Sequence, residues 1–290
     1  MTTSFAFGDI TIQRIVEEET PLFDPLTFFP NLTPELLAEN RAWLEPMALD
    51  PVTGKLVLCI QSWVVRTKHH TILVDTCVGN DKERPNHPFW NRMRGEAYMR
   101  GLATLGLTVE DIDIVMCTHM HVDHVGWNTR LENGRWVPTF PKARYVFSAE
   151  EYAYWAGEHA KAHAYPFADS VLPVVEAGRA EMVADDYAIT DAIRLEPTPG
   201  HTPHHVALRV VSAGQEALFT GDLIHSPLQA RYPEISMRAD WDPAIAAQTR
   251  RRVLECACEA QTLLCFAHFP SPSHARLSRW GKGFRADPVG

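Results

Sequence analysis

The 290-residue chain has only six cysteines, and no two of them make a CxxC pair. That speaks against a disulfide framework and predicts reduced, mostly buried thiols in a cytoplasmic protein. Cys256 and Cys258 lie two apart in a predicted helix, so they should point in different directions. No apolar run approaches the roughly 18 residues of a membrane span. The N-terminus, "MTTSFAFGDITIQ", has no basic stretch followed by an apolar one, so no signal peptide is expected. Positive charge is also short: 27 Lys and Arg stand against 36 Asp and Glu, a formal net charge of -9. An acidic surface repels phosphate backbones, so nucleic acid is not an expected partner. There is no internal repeat, low-complexity tract or long linker. What remains is 46% hydrophobic and 22% charged, ordinary for a globular protein with a sizeable core.

The apolar pattern alternates strands and helices. "DITIQRIVEEE" alternates like a strand, and "NLTPELLAENRAWLE" predicts a helix with Thr33 as N-cap and Pro34 at its first position. "KLVLCIQSWVVRT" and "HTILVDT" read as strands around a polar turn, and "PFWNRMRGEAYMRGLATLG" reads as one helix ending at Gly106. "DIDIVMCTH" and "ARYVFS" are strands. "SAEEYAYWAGEH" is helical, with Ser148 and Glu151 placed as a capping box. Further strands are "AIRLEPTPGH", "HVALRVV", "QEALFTGD" and "TLLCFAH", the last preceded by the helix "DPAIAAQTRRRVLECACEAQ". The expectation is one mixed α/β layered domain over residues 1–290. It carries an N-terminal helical segment at about 20–50 and a helical insert at about 127–175.

Several of these strands end in His or Asp, and a strand end presents reactive groups on a rigid support. In "THMHVDHVGW", His119 and His121 have the two-residue spacing that puts side chains on one side of an extended segment. They suit one divalent ion, which wants His nitrogen and carboxylate oxygen in a fixed array. Asp123 and His124 follow after a bend and suit a second ion. Two ions need more ligands, and each further candidate ends an apolar run: His201 in "PGH", Asp222 in "TGD", His268 in "CFAH". A carboxylate bridges two ions through its two oxygens. Asp222 is therefore the natural shared ligand, leaving His201 for the first ion and His268 for the second.

"HMHVDH", then "PGH", then "TGD", then a late strand-end histidine resembles the metallo-β-lactamase superfamily in order, from about residue 8 to 275. The resemblance implies a four-layer αββα sandwich. It also implies one ion on His119, His121 and His201, and another on Asp123, His124 and His268, bridged by Asp222 and a hydroxide. Zinc is the default metal for such N and O donors; manganese, iron or cobalt fit them too. "ILVDTCVGN" resembles the family's strand ending in Asp, with Cys77 where glycine is common. There Asp75 would orient a ligand histidine rather than bind metal. His205 is read the same way, and His204 as no ligand. His225, three residues past Asp222, stands where related hydrolases carry a substrate-contacting group. Asp123, Asp222 and His225 are thus the catalytic candidates.

A shared carboxylate and the Asp123-His124 pair argue against a classical β-lactamase. His121 stands where a flavodiiron oxidoreductase usually has glutamate. The acidic chain offers no RNA-binding appendage for a nuclease. A glyoxalase II-like thioesterase stays open through Arg279, Lys282 and Arg285 near the C-terminus. The motifs and the aromatic stretches "FDPLTFFP", "HPFWNRM" and "EEYAYW" look most like the branch of N-acyl homoserine lactonases and methyl parathion hydrolase. The expected reaction is metal-dependent opening of a lactone or cleavage of a related ester. The expected substrate is small and partly hydrophobic. An organophosphate triesterase and a non-catalytic metal-binding protein are the alternatives. The resemblance also implies a homodimer, with the N-terminal aromatic segment as candidate contact.

Overall fold

A computed structural model describes residues 4–289. The chain divides into two compact units, Met1–Glu17 with Ile60–Tyr187, and Glu18–Cys59 with Ala188–Gly290. Two of the three boundaries fall inside long strands, and the third lies at Tyr187–Ala188. Among the described residues no helix is long and apolar enough to cross a membrane.

The first unit is organised on a sheet of order β1-β2-β3-β4-β5-β8-β9. Here β1 is Ser4–Phe7, β2 Ile10–Phe23, β3 Leu56–Arg66, β4 Thr71–Val74 and β5 Ile114–Met116. A separate hairpin joins β6, Thr129–Glu132, to β7, Arg135–Pro138; β8 is Arg144–Ser148 and β9 Ala180–Val183. β4, β5, β8 and β9 run parallel. Parallel neighbours need crossovers, which the helices Ala97–Thr104 and Ala149–Lys161 help to supply. Every residue of β5 is buried, as expected for a strand covered on both faces. Val74 pairs with Met116, so β4 and β5 end side by side.

The second unit holds a sheet in sequence order, β10 to β16. Its strands are β10 Ala188–Thr190, β11 Ile193–Pro197, β12 Val206–Ser212, β13 Gln215–Phe219, β14 Leu263–Cys265, β15 His274–Trp280 and β16 Gly283–Pro288. All neighbours are antiparallel except β13 and β14, which the helix Pro243–Ala260 connects in parallel. Ala246, Val253, Leu254 and Ala257 form the buried face of that helix, at the spacing of one helical stripe. Phe219 pairs with Cys265, so Asp222 and His268 each lie three residues beyond a paired strand end.

Several local expectations hold. Thr33 caps the helix Pro34–Leu44 by accepting from Leu36 N at 3.2 Å, an interaction worth about 1 kcal/mol. Cys256 is exposed and Cys258 buried, as are the other four cysteines. Others do not. The expected helix from Pro88 is helical only over Ala97–Thr104. Before it the backbone turns: Arg92 has φ 52, Asn91 accepts from Arg84 N, and Asn80 exchanges hydrogen bonds with Gly95. Residues 20–23 of the expected N-terminal helical segment are still β2, and the helices follow at Pro25–Phe28 and Pro34–Leu44. The expected helical insert begins with the β6–β7 hairpin and β8. Asn133 and Gly134 take φ 50 and 76 at the hairpin tip, the left-handed pair that an Asn-Gly turn supplies.

Candidate metal centre

In the first unit the donors follow β5. The segment after Met116 turns rather than extends, so its polypeptide hydrogen bonds go to side chains and to a neighbouring loop. Asp75, just past the end of β4, accepts from Thr118 N at 2.7 Å and from Thr118 Oγ1. Its other oxygen meets His124 Nδ1 at 2.9 Å. Thr76 N donates to His124 O, and Gly126 N to Cys77 O. A Cβ on Gly126 would lie 1.8 Å from Val78 O, so only glycine permits this approach. Cys77 has φ 52, which explains why a glycine-like position is found there. These ties bring the rings of His119 and His121 to 4.6 Å and those of His119 and His124 to 4.2 Å. His119 and His124 are buried, while His121 and Asp123 are partly buried.

In the second unit the donors converge on one carboxylate. Asp222 Oδ1 lies 2.8 Å from His268 Nε2. Asp222 Oδ2 lies 3.1 Å from both His201 Nε2 and His225 Nε2. The far nitrogens are anchored: His201 Nδ1 on Asp240 Oδ1 at 2.9 Å, His268 Nδ1 on the Cys59 carbonyl at 3.0 Å. Asp240 in turn accepts from Met237 N and lies 3.6 Å from buried Arg250. His205 lies behind Asp222. Its Nε2 accepts from Asp222 N at 3.0 Å, and its Nδ1 meets Thr198 Oγ1 at 2.8 Å. Gly200 lets the turn lie on the helix Pro243–Ala260, where a Cβ would come within 2.3 Å of the Ala246 backbone.

Burial works against a charge on His201, but Asp222 and Asp240 on its two nitrogens outweigh it and hold the pKa up to about 9. Burial prevails at His225 and lowers its pKa, despite Asp222 beside it. His225 stacks parallel to His268 at 5.4 Å, and Phe28 meets its ring edge-on at 5.6 Å. It is buried among these groups, and its backbone N donates to Gln229.

The donor chemistry fits a divalent metal. Ligand histidines characteristically anchor one ring nitrogen on a carboxylate or carbonyl, which fixes the tautomer and presents the other to the ion. His124, His201 and His268 each do so. Two ligands of one tetrahedral zinc, each about 2.0–2.1 Å from it, stand about 3.3 Å apart. The Asp222 contacts with His201, His225 and His268 lie close to that separation.

Asp75 and His205 occupy the supporting positions expected of them. Asp240 leaves no signal in the sequence: "MRADWDP" carries no motif, and only the fold brings Asp240 to His201. The Cys59 carbonyl and Gln229 left no signal either. Of the aromatic stretches, Phe28 reaches His225, and Trp155 meets His121 edge-on at 5.4 Å. Trp127 stacks on Tyr98 and donates to Glu17 at 2.6 Å. In "HPFWNRM", Trp90 stacks on His87. Arg279 and Arg285 pair with Glu259 and Asp287.

Comparison with known proteins gives a consistent answer. The family model described as the metallo-beta-lactamase superfamily matches residues 60–268. An N-acyl homoserine lactonase of Bacillus thuringiensis is 21% identical over 168 residues, covering 58% of this chain. The curated relatives are matched over 41% to 60% of their own lengths. AidC, a dizinc quorum-quenching lactonase solved in complex with a product, superposes with a TM-score of 0.81 at 19% identity. It covers 100% of this chain and 97% of its own. The hydrolase AbOPH of the beta lactamase superfamily superposes with a TM-score of 0.82 at 20% identity, with the same coverage. At these identities the superpositions establish the fold.

Proposed function

Because this chain belongs to the metallo-beta-lactamase superfamily, we propose that it is a dinuclear metal-dependent hydrolase that opens lactones or cleaves related esters. The observation that carries the reading is the Asp222 carboxylate, with a histidine Nε2 within 3.1 Å of each oxygen. The ligand assignment is that implied by the family pattern: His119, His121 and His201 for one ion, Asp123, His124 and His268 for the other, and Asp222 shared. When bound, two divalent cations, with zinc first among the candidates, would supply a water of near-neutral pKa and polarisation of the substrate's acceptor oxygen.

The chain's own residues do the rest. Asp75, Asp240 and the Cys59 carbonyl hold three imidazoles in the tautomer that offers Nε2. His205 fixes the backbone of Asp222, and His225, kept neutral by burial, holds one of its oxygens. His225 is therefore assigned to positioning the carboxylate. Asp123, partly buried, takes the proton released when water attacks the carbonyl carbon. It returns that proton to the alkoxide as the ring C–O bond breaks. One water is consumed and a hydroxy acid leaves. The lactonase relatives and the aromatic side chains of Phe28 and Trp155 beside site histidines support a small, partly hydrophobic lactone.

The test is a panel of lactones, thioesters, phosphotriesters, phosphodiesters and β-lactams given to the zinc-loaded protein. Lactones should show the highest kcat/KM. A preference for phosphodiesters or for glutathione thioesters would replace this reading.

A further inference from the structure

Glu151 follows an N-cap serine by three residues, the spacing of a capping box. Ser148 makes its half of the pairing, accepting from Glu151 N at 3.0 Å. The Glu151 carboxylate is engaged across the unit. Its Oε1 accepts from Met120 N at 3.3 Å and from Trp155 Nε1 at 2.8 Å. Met120 is the residue between His119 and His121, and the Trp155 ring stands edge-on to His121. Glu151 is only 1% exposed.

The segment that carries these histidines has no strand ladder to hold it. Its backbone is fixed point by point: Thr118 N by Asp75, Met120 N by Glu151, His124 O by Thr76. We infer that Glu151 is a positioning residue for the His119–His121 pair. One oxygen fixes the peptide between the two histidines and also the indole that packs against the second. The device ties the helix Ala149–Lys161 to the donor segment, so that a change in the helix is felt at His121. The inference rests on the ligand assignment proposed above. A supporting group of this kind typically changes metal affinity by about 10–100-fold.

Both donors use the same oxygen, so Glu151→Gln retains an acceptor for them while removing the carboxylate. Glu151→Ala removes both contacts, and Trp155→Phe removes only the indole donor. Chelated wild-type and variant proteins are titrated with cobalt(II) alone, read by its visible d–d absorption, with thermal melting in parallel. The wild type should take up two equivalents, and Glu151→Gln should match its affinities within about threefold. Glu151→Ala should weaken one equivalent by about 10–100-fold and alter its spectrum; Trp155→Phe should fall between. If Glu151→Ala is too unstable to titrate, the Gln and Phe variants decide. Unchanged affinity and spectrum in Glu151→Ala, or in Trp155→Phe where alanine fails to fold, overturns the inference. So does a Gln variant as defective as alanine. Wild-type protein that binds no cobalt overturns the metal reading itself, and this inference with it.

Discussion

Replacing Asp222 by alanine will reduce lactone hydrolysis by about 10³-fold or more and weaken the retention of both ions. Asp222 follows Gly221 at the end of β13, and its carboxylate is approached by His201, His225 and His268. Removing it leaves three buried imidazoles facing one another without their common anion. Asp222→Asn is the sharper variant, since it keeps the shape and one acceptor but removes the charge that two cations would share. Metal content by mass spectrometry and kcat/KM should fall together in both variants. Near-wild-type turnover in either one would refute the bridging role.

The second large effect is on stability, and it lies away from the metal donors. In the first unit Arg84 grips Asp169 through two nitrogens, at 2.7 and 3.0 Å. Lys82 Nζ approaches the same carboxylate at 3.8 Å and donates to the Asp169 carbonyl and to Thr129. It also lies over the Trp136 ring at 3.7 Å. Arg84 and Lys82 are almost wholly buried, and burial pulls the Lys82 pKa down to about 7 while Asp169 pulls the other way. Asp169→Ala therefore strands the buried Arg84 guanidinium and removes the anion that helps Lys82 keep its proton. It should cost about 3–5 kcal/mol, a drop in Tm on the order of 10 °C. A loss under about 1 kcal/mol, typical of exposed pairs, would show that the cluster is solvated in solution.

The seven proposed metal donors were legible in the sequence because they lie in the loops just beyond apolar strands, Asp222 and His268 each three residues past one, or, for His201, after a Pro-Gly turn. A strand end fixes position so firmly that spacing alone carries information. What supports them was only partly legible. Asp75 follows β4 and could be read, since β4 ends beside β5. Asp240 and Glu151 could not. Asp240 reaches His201 from 39 residues away, and Glu151 reaches Met120 from 31. No local pattern encodes either contact. The spacing of Glu151 from Ser148 satisfies a helix-capping rule and says nothing of its contacts with Met120 N and Trp155 Nε1. The stretch from Pro88 to Gly95 is turned instead of helical: Asn80 exchanges hydrogen bonds with the Gly95 backbone, and the Asn91 side chain reaches back to Arg84 N. The β6–β7 hairpin carries a readable Asn-Gly signal, which places strands where a helical insert was expected to begin.

The central claim is that two ions, shared through Asp222, make this chain a hydrolase. The most direct test is to strip the protein with a chelator and titrate zinc back while following lactone opening. The account predicts negligible turnover without metal and a rise that saturates at two equivalents per chain. Full activity at one equivalent, or turnover that survives complete metal removal, would contradict it.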